Sequence, residues 1–315
     1  MSTTKKALLV GCNYSKDPDN RLYGCINDVT SMSNTLVDAF DYDLNNITLL
    51  RDDSNSPSVL PTRANILAKL KSLAISSPNL TEIWFHYSGH GSQVRDRNGD
   101  ETDRLDEIIV PTDFKTAGFI TDDDIFSILQ TVSIKCRVVL LFDSCHSGSI
   151  CDLANTFQIT GTTVSKSLLS NKVINHPNIY CFSGCKDTQT SADAYSNIEA
   201  RSVGAFTNTF IYCLRKNHFN VDVFKLYADV CTMISQYGFT QTPVFSSSNV
   251  SPSLILGRIS YRSTATLSVP LPPLLNVPIA TGNNKELLEQ VSIFNTLPLK
   301  KRKTQLKMVF LNLIE

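Results

Sequence analysis

The chain has 315 residues, of which 42% are hydrophobic, enough for a sizeable core, and its 29 Lys and Arg residues balance its 29 Asp and Glu residues. This balance indicates neither a nucleic acid nor an anionic membrane as the partner, so any charge selectivity must be local. The nine cysteines are an odd number without a CxxC pair, which argues against both a disulfide framework and a zinc-finger site.

The sequence contains no segment with the apolar pattern of a membrane span. No uninterrupted run of about 18 apolar residues occurs, and residues 1–6 lead into a strand pattern without a signal-peptide region. We expect a cytoplasmic protein that acts as a monomer and has no membrane partner. The basic cluster at 300–303 could serve nuclear import or bind an anionic surface, although four charges beside a helix are more often simply solvated.

Strand and helix patterns alternate along the chain from residue 6 to residue 257. The first strand is predicted at 6–14, and a helix with apolar residues at helical spacing follows, beginning at Asn27 or Asp28. Strands that alternate with helices imply right-handed crossovers, so we expect an α/β fold: a mostly parallel central sheet flanked by helices on both faces. The remaining predicted strands cover 47–50, 83–87, 138–142, 179–183 and 243–246, and the remaining predicted helices cover 63–73, 125–132, 205–214 and 223–234.

Two segments interrupt this alternation. Residues 93–111 are highly charged and are predicted to form a hairpin; an EF-hand interpretation of their acidic residues fails because Glu101 stands where a glycine is required. Residues 153–178 are rich in Ser, Thr, Asn and Gly without periodicity, which predicts a surface loop. The predicted organisation is a large half at 1–152, a linker at 153–178, a small half at 179–257 and a C-terminal extension at 258–315.

Two apolar strand patterns end in glycine-flanked turns that carry potentially reactive side chains. Residues 82–91 end in a turn with His90, and residues 137–148 end in a turn with Cys145. A free thiol has a pKa of about 8.5 and needs a nearby imidazole to take its proton and return it to a leaving amine. Many cysteines are simply buried structural thiols, but a turn after a buried strand favours catalysis here. For His86, inside the strand, packing within the fold is the simpler interpretation.

The sequence also predicts an acidic pocket beside this pair. The carboxyl ends of the strands in an open α/β sheet share one edge, so the loops after the first, third and fourth strands should converge. Those loops carry Asp28 with Cys25, then His90, then Asp143 with Cys145. Two carboxylates at this edge suit a cationic side chain. The local alternatives are a charge favoured by the helix dipole for Asp28 and a hydrogen-bonded turn for Asp143.

Several ordered motifs resemble those of the metacaspases, a family of cysteine peptidases in the caspase-like superfamily. His-Tyr-Ser-Gly-His-Gly at 86–91 and Asp-Ser-Cys-His-Ser-Gly at 143–148 are similar to the histidine and cysteine boxes of that family. Shorter matches lie at 11–14, 24–28, 183–194, 204–207 and 241–243. The likeness implies a caspase-like fold over about residues 5–257, with the linker where the family has its processing segment.

The resemblance implies a cysteine endopeptidase that cleaves protein or peptide substrates after Arg or Lys. Cys145 would attack the scissile carbonyl and His90 would transfer the proton, without a third catalytic carboxylate, because the family works largely as a dyad. The backbone N–H groups of Gly91 and Cys145 would hold the oxyanion. The positions that would line the pocket for the basic side chain are Cys25, Asp28 and Asp143.

Calcium is the cofactor that the resemblance implies. Hard carboxylate oxygens from several loops are preferred calcium ligands, and clustering them without a cation is unfavourable. The local alternative is a helix cap, because Thr121 followed by acidic residues is a good N-terminal capping sequence. Asp124 is expected to point elsewhere. The residues that match the ligands of calcium-activated metacaspases by spacing are Asp113, Asp122, Asp123 and Asp152.

The pocket and the linker together predict self-cleavage. An enzyme selective for basic residues would cut its own chain at an exposed lysine, and the linker offers Lys166 and Lys172. Lys166 is the preferred site because small residues surround it. The competing hypothesis is a catalytically silent scaffold or regulator of the same fold, against which the intact pair of His90 and Cys145 argues.

Overall fold

The fold is built around strands that are apolar on both faces. Every residue of the strand Glu82–Ser88 is buried, and so is every residue of the strand Arg137–Asp143 except the first. Strands of this kind lie at the centre of a parallel sheet because helices must cover both of their faces. The computed structural model describes residues 4–54, 56–95, 105–145, 147–160, 163–168, 172–184, 205–236, 239 and 241–257.

The strands of the described residues form one large sheet and two small ones. In chain order they are β1 (Lys5–Gly11), β2 (Ile47–Arg51), β3 (Glu82–Ser88), β4 (Gly91–Arg95), β5 (Leu105–Ile109), β6 (Ile120–Thr121), β7 (Arg137–Asp143), β8 (Asn155–Thr160), β9 (Thr163–Leu168), β10 (Ile179–Ser183), β11 (Asn220–Asp222), β12 (Val244–Ser247) and β13 (Ile255–Gly257). The central sheet has eight strands in the order β2-β1-β3-β7-β10-β12-β8-β9. The first five strands pair in parallel, and β12, β8 and β9 each pair antiparallel with the strand before them in this order. This arrangement confirms the mostly parallel sheet.

Helices cover both faces of the central sheet, as the alternating pattern predicted. They are α1 (Cys25–Phe40), α2 (Arg63–Ser76), α3 (Phe114–Ala117), α4 (Asp122–Leu129), α5 (Ala205–Lys216) and α6 (Val223–Gln236). Met32 of α1, Phe210 of α5 and Leu226 of α6 belong to the apolar cluster on one face. Ile66 of α2 and Ile125 of α4 belong to the cluster on the other face.

Helix α4 begins earlier than its apolar spacing predicted. The expected range was 125–132, whereas the helix spans Asp122–Leu129. The Thr121 hydroxyl accepts a hydrogen bond from the Asp124 backbone N–H at 3.2 Å, and the helix dipole favours the acidic side chains of this first turn. The polar first turn has no apolar periodicity, so the capping sequence is the better guide to its start.

The prediction of a surface loop over 153–178 was wrong for residues 155–160 and 163–168, which form strands. Strands β8 and β9 form an antiparallel hairpin, and β8 pairs with β12 at the edge of the central sheet. Phe157 of β8 is buried and packs against Phe245 of β12, with ring centroids 5.4 Å apart. Every described side chain of β9 is exposed, so this strand has no apolar pattern to reveal it.

The predicted large and small halves share one sheet. Strand β7 of the large half pairs in parallel with β10 of the small half, and all described residues fall within one compact unit that ends before Tyr261. The predicted hairpin within 93–111 is confirmed by the antiparallel pairing of β4 with β5. The extension 258–315, with the basic cluster at 300–303, lies outside the described residues. No described helix is both long enough and apolar enough to cross a bilayer.

Candidate active site

The turns that carry His90 and Cys145 lie side by side at the carboxyl edge of the central sheet. Strands β3 and β7 are parallel neighbours, and their last residues, Ser88 and Asp143, are register partners. The Gly89 N–H then donates to the Asp143 carbonyl at 3.3 Å. His90 and Cys145 each follow their strand end by two residues, so the parallel register brings the two turns to the same place.

Gly91 allows close contact between the two turns. A Cβ atom at this position would lie 2.1 Å from the Cys145 carbonyl oxygen and 3.0 Å from the Ser144 Cβ atom. No side chain fits such a distance, so only glycine lets the backbone after His90 approach the cysteine turn this closely. The two residues predicted to hold the oxyanion, Gly91 and Cys145, are therefore in direct backbone contact.

A backbone carbonyl orients the imidazole of His90. Its Nε2 atom lies 2.9 Å from the Asn20 carbonyl oxygen, and because a carbonyl can only accept, Nε2 carries the hydrogen of this bond. The neutral ring then keeps Nδ1 as the nitrogen that can take a proton. Burial lowers the pKa of His90, opposed by the bond to Asn20 and the charge of Asp17. The neutral form is thus favoured near neutral pH.

Two tyrosines hold the histidine turn in place. The Tyr14 hydroxyl accepts from the His90 backbone N–H at 3.0 Å and donates to the Val110 carbonyl at 2.7 Å. The Tyr87 hydroxyl donates to the His90 carbonyl at 2.8 Å. The Tyr14 ring also lies against the imidazole, with centroids 4.7 Å apart. The sequence prediction missed this role of Tyr14 and that of the Asn20 carbonyl, which no residue type could reveal.

Asp28 and Asp143 are both buried beneath this edge of the sheet. Asp28 accepts a hydrogen bond from the Ser88 hydroxyl at 2.8 Å. Burial raises the pKa of Asp28 to about 7, and the Ser88 hydrogen bond opposes this rise. Burial also raises the pKa of Asp143 well above its usual range, and the charge of Asp28 raises it further. Cys25 is fully buried as well, and burial raises the pKa of its thiol, with further contributions from the charges of Asp28 and Asp143.

Asp143 is held by the first turn of α5. The Thr207 backbone N–H and hydroxyl donate to the same Asp143 oxygen at 2.9 and 2.8 Å. The Thr207 hydroxyl in turn lies 3.2 Å from Nε2 of His86, which is fully buried. The packing role predicted for His86 is thus confirmed. Thr207 lies in the motif at 204–207, but its role depends on its contact with Asp143, which is distant in the sequence.

A second acidic group lies where the start of α4 meets β5. Carboxylate oxygens of Asp106, Asp122 and Asp123 lie within 4.8 Å of one another. The Asp122 carboxylate accepts from the backbone N–H groups of Glu107 and Asp123 at 2.8 and 2.7 Å. The pKa of Asp122 is raised to about 9, mainly by burial and next by the charge of Asp152. Such crowding of oxygen ligands fits a calcium ion.

The structure unites three of the four predicted calcium ligands. Asp123 and Asp152 both contact the Lys172 ammonium, at 2.8 and 2.6 Å, and the charge of Asp152 acts on Asp122. Asp113 lies elsewhere, because its carboxylate accepts from the Arg63 backbone N–H at 2.8 Å, at the start of α2. Helix starts leave such N–H groups without helical partners, which explains its position.

Two further acidic residues complete the comparison with the predicted set. Asp124 pairs with Arg63 at 2.7 Å, away from the acidic group, as expected. Asp106 belongs to the group but was missed, because its position on β5 within the charged hairpin made it indistinguishable from solvated hairpin charges.

The two linker lysines occupy different environments. Lys166 lies on the exposed strand β9, opposite Phe157 of β8. Lys172 is mostly buried, with 15% of its side chain exposed, and its ammonium is held by two aspartates. Lys166 therefore lies on a strand, not in the loop that was predicted, and the side chain of Lys172 is held by ion pairs.

Comparison with known proteins identifies close relatives over most of the described region. Residues 5–154 match the family model described as metacaspase, peptidase C14 domain. Metacaspase-1 of Cryptococcus neoformans is 35% identical over 257 residues, covering 67% of this chain and 56% of that protein. Metacaspase-1 of Scheffersomyces stipitis is 36% identical over 260 residues, covering 68% of this chain and 64% of that protein. The chain thus spans less than two thirds of the length of these relatives.

Solved structures share the fold at lower sequence identity. A Geobacter sulfurreducens protein superposes with a TM-score of 0.55 and 20% identity, covering 79% of this chain and 95% of its own. Caspase-1 from Spodoptera frugiperda superposes with a TM-score of 0.53 and 12% identity, covering 82% of this chain and 93% of its own. These likenesses show a caspase-like fold. The family match and the relatives establish that the chain belongs to the metacaspase family.

Proposed function

We propose that the protein is a cysteine endopeptidase that cleaves after Arg or Lys and depends on calcium. The observation that carries the proposal is the pairing of Ser88 with Asp143, which brings the His90 and Cys145 turns into contact at one edge of the sheet. The fixed orientation of the imidazole by the Asn20 carbonyl supports the assignment of His90 as the proton carrier.

The reaction follows from these positions. The Cys145 sulfur attacks the carbonyl carbon of the scissile peptide, and the thiol proton passes to Nδ1 of His90. The developing oxyanion is stabilised by the N–H groups of Gly91 and Cys145. The imidazolium then gives its proton to the amine that leaves, and a water molecule, deprotonated by the same imidazole, hydrolyses the thioester and regenerates the thiol.

Specificity for a basic side chain is assigned to the two buried carboxylates. Asp28 and Asp143 lie close enough that the charge of Asp28 contributes to the raised pKa of Asp143. Two like charges at a buried site are stabilised by a cation between them. A substrate Arg or Lys would supply that cation, so binding energy would be gained from the unfavourable electrostatics of the free enzyme.

The calcium requirement is assigned to the acidic group at the start of α4. Asp106, Asp122, Asp123 and Asp152 supply carboxylate oxygens of the kind that calcium prefers. Bound there, calcium would supply the positive charge that these crowded carboxylates need. Asp152 follows Cys145 by seven residues, so a calcium ion bound to Asp152 would restrain the segment that carries the nucleophile.

Self-cleavage within 153–178 is part of the proposal, at Lys166 or Lys172. Either site requires a structural change first: strand β9 must leave its partner for Lys166 to extend into the active site, and Lys172 must leave its aspartates. Proteolysis needs an extended substrate segment, so the uncleaved form should be the resting state.

The deciding experiment is labelling with an Arg-containing peptide that carries a thiol-reactive trap, followed by mass spectrometry. Among the described cysteines only Cys145 and Cys231 are not fully buried, so they are the matched pair. A peptidase should be labelled at Cys145 alone, Cys145→Ala and His90→Ala should abolish labelling, and Cys231→Ala should leave it unchanged. Equal labelling of both thiols would contradict the catalytic assignment and indicate a silent scaffold. Equal labelling of Cys145 by an Asp-containing trap would contradict the specificity for basic residues.

A further inference from the structure

The acidic group already holds a cation supplied by the chain itself. The Lys172 ammonium lies 2.6 Å from an Asp152 oxygen and 2.8 Å from an Asp123 oxygen. It thereby joins the segment before β10 to the first turn of α4 and to the segment after Cys145. With 15% of its side chain exposed and Asp152 at 1%, the contact between these two residues is shielded from solvent, whereas Asp123 is 38% exposed. Removing one partner of a buried ion pair leaves the other charge uncompensated, which is strongly destabilising.

Lysine and calcium would compete for the same oxygens. Calcium needs six to eight oxygen ligands at about 2.3–2.6 Å, which requires the carboxylates to converge on one point. An ammonium within hydrogen-bonding distance of Asp123 and Asp152 occupies part of that space and repels a divalent ion. It also supplies only one positive charge to the carboxylates of Asp106, Asp122, Asp123 and Asp152, whereas calcium supplies two.

We propose that Lys172 is a built-in counter-ion of the acidic group, and that calcium binds by displacing it. The inference rests on the calcium site of the proposed function and assigns its regulation. Without calcium, Lys172 neutralises the aspartates and keeps its own segment against α4. With calcium, the ammonium moves into solvent, which releases the segment before β10 and makes Lys172 accessible as a cleavage site.

Calcium titration of an inactive protein tests the exchange without relying on activity. In the Cys145→Ala background, isothermal titration with calcium chloride should show Lys172→Gln binding roughly tenfold to a hundredfold tighter, because the charge-assisted hydrogen bonds of the competitor are lost. Lys166→Gln removes the same charge from the exposed strand β9 and should bind calcium with the same Kd as the parent. Lys172→Arg, which keeps a competing cation, should also stay within a fewfold of the parent.

Thermal unfolding separates competition from simple structural support. Without calcium, Lys172→Gln should melt at a lower temperature than the parent, because Asp152 loses a buried partner. With saturating calcium, the two proteins should melt at similar temperatures. A lysine that only supports the fold would lower the melting temperature equally in both conditions, and that result would overturn the proposal.

A third measurement leaves Lys172 unsubstituted, so its result does not depend on whether a Lys172 variant folds. Acetylation of lysines with an amine-reactive ester, mapped by mass spectrometry on Cys145→Ala protein, should modify Lys172 slowly without calcium and several times faster with it. Lys166 should react at one rate throughout and serves as the internal control. Potassium chloride at matched ionic strength should not expose Lys172.

The outcomes distinguish this inference from the proposed function. If all variants bind calcium with the same Kd and Lys172 stays protected, the site exists but Lys172 does not compete, and only the inference fails. If no variant binds calcium, the calcium part of the proposed function fails, and the inference with it.

Discussion

At the scale of single residues, the Asp28 carboxylate should make substrate binding depend on pH. Burial raises its pKa to about 7, so it is largely protonated in more acidic solution. We expect the Kd of an Arg-containing peptide for Cys145→Ala protein to rise as the pH falls through about 7, by up to about tenfold per pH unit. Asp28→Asn should bind weakly at every pH. Fluorescence anisotropy measures this, with Asp38→Asn, an exposed change on the same helix, as the control.

The same carboxylate should affect stability with a defined sign. Between its ordinary pKa of 3.8 and the native value of about 7, the folded state binds more protons at Asp28 than the unfolded state does. Its contribution to the free energy of unfolding therefore falls as the pH rises through this window. We expect Asp28→Asn to melt at a higher temperature than wild type near pH 8, with the difference shrinking near pH 4. A variant that is less stable at both pH values would contradict the raised pKa.

Neighbouring aspartates at the start of α4 should differ sharply in their effect on calcium. Asp122 and Asp123 belong to the acidic group, whereas Asp124, one residue further, pairs with Arg63. We expect the double change Asp122→Asn with Asp123→Asn to weaken calcium binding at least tenfold and to abolish calcium-dependent hydrolysis of an Arg substrate. Asp124→Asn, in the same helical turn, should retain both. Full activity of wild type in chelator would refute the calcium requirement.

At the scale of elements, the hairpin of β8 and β9 should control access to Lys166. The hairpin is held to the sheet by Phe157, whose ring is buried and lies 5.4 Å from Phe245 and 5.3 Å from Phe224. Removing a buried aromatic ring costs about 3–5 kcal/mol. Part of that loss should appear as opening of the hairpin, because β9 is an edge strand with exposed side chains.

We therefore expect Phe157→Ala to increase the rate of cleavage after Lys166 by about tenfold or more when trypsin is added in small amounts to Cys145→Ala protein. Electrophoresis with mass spectrometry of the fragments measures the rate. Adding Lys166→Gln should remove that fragment and leave the others. Unchanged cleavage after Lys166 in Phe157→Ala would show that the ring does not hold the hairpin closed.

At the scale of the whole molecule, a cut after Lys172 should not separate the two pieces. In the central sheet, β10 and β12 lie between β7 and β8, so the strands of the C-terminal piece are inserted between strands of the N-terminal piece. Dissociation would break the β7–β10 and β12–β8 pairings and expose both apolar clusters. The cleaved protein should elute at the volume of the intact chain in size-exclusion chromatography and separate only in denaturant. Two native peaks would contradict this arrangement.

The sequence by itself determined the elements that carry a local signal. The apolar runs at 83–87 and 138–142 predicted buried parallel strands, and the turns after them identified His90 and Cys145 as candidates for a catalytic pair. Carboxyl ends of parallel strands share one edge of a sheet, so the sequence predicted that these turns lie at the same edge. The tertiary structure decided that the two strands are direct neighbours. The resemblance of those turns to metacaspase motifs supplied the predicted catalytic roles of His90 and Cys145.

The tertiary structure decided what depends on contacts between distant segments. Strand β9 has no apolar face, so only its pairing with β8 makes it a strand. The Asn20 carbonyl orients His90 through a backbone group that exists in every residue type. Asp106 joins the acidic group and Asp113 leaves it because β5 and α2 fix their positions, not because their local sequences differ. Lys172 became a cation of that group only because folding of the chain places it beside Asp123 and Asp152, and spacing along the sequence carries no record of such a contact.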